Sequence, residues 1–193
     1  RQYIVELDRG HLQTLDIAWD FREKDQGGQK WFKLIPDEDA KPGEPLHWTG
    51  LAYNWNNRCA ECHSTNVQKN YDLASDTYNT TWSEINVSCQ SCHGPGKEHL
   101  DWTTLSDLDE KQGQGNGLIV NYKNSDATYQ NDTCARCHSR RHQVSPIDGH
   151  GGKFLDDFMP SLLTESLYYP DGQILDEVFV YGSFLQSKMH AKG

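Results

Sequence analysis

Tyr3, Val5 and Leu7 alternate with polar residues at the start of the chain. Leu15, Ile17, Trp19 and Phe21 alternate again after an Asp8-Arg9-Gly10 turn. A period of two puts apolar side chains on one face of an extended strand. Trp31 to Ile35, reached through Gly27-Gly28, reads as a third strand. Together they predict a small antiparallel sheet within residues 2–36, followed by an acidic, proline-bearing loop from Pro36 to Pro45. Beyond residue 46 the long-range pattern fades into short pieces. Ser83 and Asp132 read as helix N-caps, residues 111–117 as a glycine-rich loop and 160–168 as a helix. A Pro170-Asp171-Gly172 turn then leads into an alternating, strand-like run through Ile174, Asp176, Val178 and Val180. The expected organisation is a β segment (1–45), a central core (46–145) and a C-terminal helix and strand segment (146–193) packing on that core. The fold class is α+β with little regular secondary structure.

Composition complicates this picture. Leu, Ile, Val and Phe total 37 of 193 residues, about 19%, and the formal charge is −10. Mean hydropathy is −0.82. Such values border on those of disordered chains. Yet 6 Trp, 9 Tyr and 6 Cys are present, so something besides aliphatic packing must help build the interior. The acidic balance argues against a nucleic-acid-binding surface, which needs clustered Lys and Arg. No run approaches 18 apolar residues, so no membrane span is expected. No signal peptide is seen, and a start at Arg1 within a strand pattern reads as a mature or trimmed form.

All six cysteines fall into three identical frames: Cys59-Ala60-Glu61-Cys62-His63, Cys89-Gln90-Ser91-Cys92-His93 and Cys134-Ala135-Arg136-Cys137-His138. Each is C-x-x-C-H, the attachment frame of a c-type haem. Two thiols three positions apart on a helical turn can form thioethers to the two vinyl groups of one porphyrin. The next histidine then ligates the iron from one face. Zinc fits poorly, because a four-cysteine site consumes pairs in twos and three pairs leave one over. A thioredoxin-like site expects one such pair, and structural disulfides would have to draw on cysteines already set in the short frame. With 9 His among 193 residues, a given C-x-x-C is followed by His by chance about 5% of the time. Three such coincidences have odds on the order of one in ten thousand. The reading is three covalently bound haem c groups, with His63, His93 and His138 as proximal ligands. Thioether attachment takes place outside the bacterial cytoplasm, so an exported, periplasmic or extracellular protein is expected.

A low-spin haem needs a sixth ligand, His or Met. Six histidines are left against Met159 and Met189, so bis-His ligation is favoured. His47, before Trp48, is one candidate. His99 is the other, six residues after His93 beyond a Gly94-Pro95-Gly96 turn, and better placed for a neighbouring haem than for its own. Either could instead be an ordinary structural histidine. For the third distal position His150, in a glycine loop, and His190, near the chain end, come before His142, which lies four residues after His138 on the same expected helix. His11, in a turn, comes last, and a five-coordinate third haem is the alternative. Arg22, Arg58, Arg136, Arg140 and Arg141 are candidate partners for haem propionates. Surface arginines are an equal reading for each except Arg136 and the Arg140-Arg141 pair, which sit within or beside a motif.

A further set of segments accompanies the motifs: Leu46-His47-Trp48-Thr49-Gly50, Tyr53-Asn54-Trp55-Asn56, Cys59 through Asn66, Thr81 through Val87, Cys92-His93-Gly94-Pro95-Gly96, Cys134 through Arg141, Asp171 through Glu177, and Tyr181-Gly182-Ser183-Phe184. In these, the chain resembles multihaem c-type cytochromes related to the tetrahaem cytochromes of the ammonia-oxidiser type, often fused to tetratricopeptide repeats. Members carry a further haem motif before the point where this chain starts and another after it ends. The chain therefore resembles a three-haem portion of a longer protein, and the third distal ligand could come from another segment. The resemblance implies close-packed haems, bis-His ligation at most sites and extracytoplasmic electron transfer. An electron carrier is thus expected rather than an enzyme. The alternatives are a reductase or oxidase with one open-site haem, where His142 or His150 with Asp148 or Asp156 would handle protons, and a haem module of a larger assembly or homo-oligomer. Propionates add to the negative charge, which favours redox partner proteins with a basic docking surface.

Overall fold

The computed structural model describes residues 1–36, 39–105, 115–123, 125–145, 150–175 and 179–192. Short helices and small antiparallel sheets make up two compact units, Arg1–Val87 and Ser88–Gly193.

In the first unit the alternating pattern becomes a three-stranded antiparallel sheet, in order β1 (Gln2–Glu6), β2 (Leu12–Asp20) and β3 (Lys30–Lys33). Trp19 pairs with Trp31, their rings 5.4 Å apart, and Tyr3 lies 5.6 Å from Trp31. The β1–β2 turn needs glycine at Gly10: its φ is +73°, and a β-carbon there would run into the Tyr78 carbonyl. Tyr78 belongs to a second hairpin, β4 (Tyr71–Asp72) with β5 (Thr77–Tyr78).

Asn56 fastens this sheet to the first cysteine motif. It is fully buried on helix α1 (Trp55–Arg58). Its Oδ1 accepts from the Leu12 amide at 2.7 Å, and its Nδ2 donates to the Gly10 carbonyl and Thr80 Oγ1 at 3.2 and 2.8 Å. Buried polar groups left without partners cost about 1–3 kcal/mol each. Asn56→Ala is therefore expected to lower holoprotein stability by about 3 kcal/mol in denaturant titration. A midpoint equal to wild type would show that Asn56 does not join sheet to motif.

The second unit is built on α3 (Cys89–His93), α4 (Lys97–Thr104), α5 (Ala127–His138), the hairpin β6 (Arg141–Gln143) with β7 (Phe158–Pro160), and three short helices, α6 (Phe154–Asp157), α7 (Tyr181–Leu185) and α8 (Lys188–Lys192). Its apolar centre is small: Ala135, Phe154 and Phe158, with Tyr181 packed on them. Phe154 stacks on Phe158 at 5.6 Å and meets Tyr181 edge-on at 5.3 Å. Beside them Arg136 donates to Asp157 at 2.9 Å, with side chains only 7% and 11% exposed.

Four local expectations are corrected. Ser83 caps no helix, because its amide bonds to the Thr65 carbonyl; Ser88 occupies the N-cap position before Cys89. Asp132 lies inside α5, whose N-cap is Asp126, accepting from the Tyr129 amide at 2.8 Å. Asp132 faces the Phe154 amide instead. Residues 161–168 form turns, not a helix. Pro160 belongs to β7, the Ser161 amide is drawn to the Arg140 carbonyl, and Tyr168 bridges to Ile174. Tertiary pairing outweighs helix propensity there. His142 sits on strand β6 opposite Met159, because α5 ends at His138. The turn at residues 170–172 is as expected, with the Gly172 amide on the Tyr169 carbonyl. The strand-like run is not continuous: Val180 precedes α7, while Asp176 and Val178 lie outside the described residues, as do Asp148 and residues 111–114. Among the described residues no helix is long and apolar enough to cross a membrane.

Candidate functional site

Helical periodicity explains how each motif presents its chemistry. Residues i, i+3 and i+4 share a helix face, while i+1 and i+2 turn away from it. On α5, Cys134, Cys137 and His138 hold the first set of positions; Ala135 and Arg136, the second set, are buried in the unit's centre. Cys134 and His138 are exposed and Cys137 half-buried. The same spacing recurs on α2 (Ala60–His63), with Cys59 at its N-cap position, and on α3, where no residue is buried. Ala60 is fully buried while Cys59 and Cys62 are half-buried, and Cys89 and Cys92 are exposed. All six are thiols rather than disulfides.

The first motif is reached through a run of side-chain clamps. Gln13, almost fully buried on β2, donates from Nε2 to the carbonyls of Trp48 and Gly50 at 2.9 and 3.0 Å. Its Oε1 accepts from Asn54, which caps α1 through the Asn57 amide. Gln13 thus ties the His47 loop to the helix leading into Cys59. After the motif, Thr65 Oγ1 donates to the Asn86 carbonyl at 2.7 Å and Ser64 Oγ to the Ile85 carbonyl at 2.8 Å.

Hydrogen bonding sorts the histidines. A carbonyl oxygen only accepts, so a ring nitrogen bonded to one must carry the proton. His93 Nδ1 donates to the Val120 carbonyl at 2.7 Å, and His99 Nδ1 to the Asn116 carbonyl at 2.6 Å. In both, the neutral ring keeps its lone pair on Nε2, the arrangement of a metal-ligating imidazole whose other nitrogen is held by an outer acceptor. His11 is held the other way round: Nε2 donates to the Asp76 carbonyl at 3.1 Å and lies 3.3 Å from the Asp76 carboxylate. That accounts for His11 as a structural histidine. His47 Nδ1 accepts from the Thr49 amide at 3.3 Å and lies 2.8 Å from Thr49 Oγ1, so it is Nε2 that carries the proton in the neutral ring, unlike in His93 and His99. His190 packs its ring on Phe184 at 5.5 Å. His150 stands against the second motif, where a β-carbon on Gly94 would meet its Cβ and that of Ile119 at 3.3 Å.

The second and third motifs are neighbours. Tyr122 lies between them, its ring 5.3 Å from that of His93. Burial raises its pKa, a hydrogen bond with Thr133 opposes that shift, and the nearby Cys92 and Cys134 thiols add to it. Burial likewise pushes the Cys134 thiol up, with Cys92 contributing. Tyr122 carries no motif, and nothing in its spacing marks it.

The donor set fits haem c. Each motif offers two thiols and an imidazole at helix-face spacing, and Leu46 and Leu51, flanking His47 in sequence, and Leu100, next to His99, are largely exposed. Buried Asn131 Nδ2, one helical turn before Cys134, has no hydrogen-bond partner among the described residues; a propionate is an acceptor of the right kind. Among the described residues no three His, Cys, Asp or Glu side chains converge on a metal-sized site. The arginines divide. Arg136 is committed to Asp157, contrary to a role with propionates, because its position in the motif turns it inward. Arg22 forks onto Asp20, holding that carboxyl at about 2.

Comparison with known proteins points the same way. Residues 29–94, about a third of the chain, match the family model described as cytochrome c554 and c-prime. No curated protein matches. The crystal structure of the outer cell wall cytochrome OcwA superposes on 88% of this chain with a TM-score of 0.52 at 20% identity. The chain spans 33% of that protein's length. The chain has a cytochrome fold of the α+β kind, short helices and small antiparallel sheets, as its sequence led us to expect.

Proposed function

We propose that this chain is a three-haem portion of an extracytoplasmic, electron-transferring c-type cytochrome. The observation that carries the reading is the common helical face of two thiols and one imidazole, visible on α5 and present in the same frame at all three motifs. Cys59 with Cys62, Cys89 with Cys92 and Cys134 with Cys137 hold the porphyrins, and His63, His93 and His138 are the proximal ligands. His47 and His99 are distal ligands, with His150 and His190 the candidates for the remaining position. Haem bound in this way supplies one-electron iron chemistry. The protein's part is to orient the imidazoles, and the carbonyls of Val120 and Asn116 do this by fixing the tautomers of His93 and His99. The net charge of −10, made more negative by propionates, suits a redox partner with a basic docking surface.

The test is direct. Matured in an exporting host, the protein is expected to be red, to give three haem c groups per chain in a pyridine haemochrome assay, and to show low-spin iron by electron paramagnetic resonance. A colourless chain carrying stoichiometric zinc would overturn the reading. A high-spin signal from one haem would instead favour a reductase or oxidase with an open site.

A further inference from the structure

The two histidines with carbonyl-bonded Nδ1 atoms are held by one short loop. Asn116 supplies the acceptor for His99 and Val120 the acceptor for His93, four residues apart. Val120 is fully buried and grips His93 twice, since its own amide also donates to the His93 carbonyl at 3.2 Å. Gly115, Asn116 and Gly117 take three successive left-handed conformations, with φ of +57°, +62° and +67°. The loop then lies so close to α4 that a β-carbon on Gly117 would run into the Glu98 carbonyl and come within 2.8 Å of the His99 Cα. Asn121 closes the loop, donating from Nδ2 to the Gly115 carbonyl at 2.7 Å while its Oδ1 accepts from the Lys123 amide. Ile119, at the middle, lies against Gly94, the residue after His93.

We propose that the Gly115–Asn121 strap is a positioning element that sets the reduction potentials of two haems together, through His93 and His99. The proposal rests on those histidines being axial ligands. An Nδ1–H donating to a carbonyl makes Nε2 more basic and favours the oxidised, more positive iron, so a tight strap holds both potentials down. The Val120 amide on the His93 carbonyl, the Asn121 side chain on Gly115 and the close approach of Gly117 to α4 hold the strap in place, and because one segment bears both acceptors, displacing it perturbs both imidazoles.

Gly117→Ala pushes the strap away from α4. Asn121→Ser is neutral and adds no bulk; it keeps a short oxygen for the Lys123 amide but cannot reach Gly115. Gly27→Ala is the control: it has a comparable φ of +80° with open space around it. Each holoprotein is titrated potentiometrically and examined by electron paramagnetic resonance, with haem counted by pyridine haemochrome. The expected result is that two of the midpoint potentials rise in Gly117→Ala, with changed g-values for two low-spin signals and an unchanged haem count. Asn121→Ser gives a smaller rise in the same two, and Gly27→Ala none. A shift confined to one haem, or equal shifts in the control, overturns the strap. If Gly117→Ala does not accumulate, Asn121→Ser decides alone, and unmoved potentials there overturn the proposal. A wild type without haem c overturns the functional reading beneath it, whereas a red wild type with unresponsive variants sinks the strap alone.

Discussion

With all six motif cysteines replaced by serine, the full-length chain is expected to show no cooperative unfolding. Among the described residues, eight apolar side chains are buried, against 26 large ones that are exposed. The centre of the second unit is Ala135, Phe154 and Phe158 with Tyr181. A haem presents several hundred Å² of apolar surface, worth on the order of 10 kcal/mol when buried, as an upper estimate. Domains of this size have a net stability of about 5–15 kcal/mol, so the loss of three such groups exceeds the margin. Circular dichroism during thermal or urea titration should show a gradual, non-cooperative change. Limited proteolysis should cleave the variant far faster than the holoprotein. A sharp two-state transition in the six-serine chain would mean that the polypeptide carries its own core, and that the low aliphatic share had been misread.

What could be read from the sequence follows from where each signal resides. The alternation of Tyr3 and Val5 with Leu15, Ile17 and Trp19 marks the strands, and the Asp8-Arg9-Gly10 turn fixes their connection; all of it is local and side-chain borne. The C-x-x-C-H frames are legible because thioether chemistry demands that spacing. The Asp132 cap reading places the start of α5 six residues too late, since Ala127 to Thr133 has little apolar periodicity and only the Asp126 cap announces it. The turns at 161–168 are illegible for a different reason: the Ser161 amide is drawn to the Arg140 carbonyl, 21 residues away, and Tyr168 bridges to Ile174 across the following turn instead of continuing a helix. The Asn116 and Val120 carbonyls were beyond reach altogether. They act through backbone oxygens, which every residue has, so only the path of the chain makes them specific. Arg136 shows the same limit within a legible motif. Its place in the frame is plain, but that it turns towards Asp157 depends on a residue 21 positions away.

Asp157→Ala is expected to destabilise the holoprotein by about 3–5 kcal/mol, because it removes the carboxylate from a buried ion pair. The Arg136 guanidinium also donates to the Gly152 carbonyl at 3.3 Å, but that oxygen carries no full charge to replace the carboxylate. The damage should spread along the third motif. The Arg136 carbonyl accepts from Arg141 Nε at 2.5 Å, and both guanidiniums lie over the Phe158 ring, at 5.5 and 4.0 Å from its centroid. Moving Arg136 therefore disturbs the end of α5, where Cys137 and His138 sit. The double variant Arg136→Met with Asp157→Leu separates charge from packing. Apolar replacements of both partners at similar volume are often neutral or stabilising, so this variant should recover most of the lost stability while Asp157→Ala does not. Urea titration of the three holoproteins reads the difference directly, and the optical spectrum reports whether the third haem keeps its ligands. If the double variant is as unstable as the single one, the Arg136–Asp157 pair holds the motif by its particular geometry. If Asp157→Ala unfolds at the wild-type midpoint, the pair contributes nothing to stability.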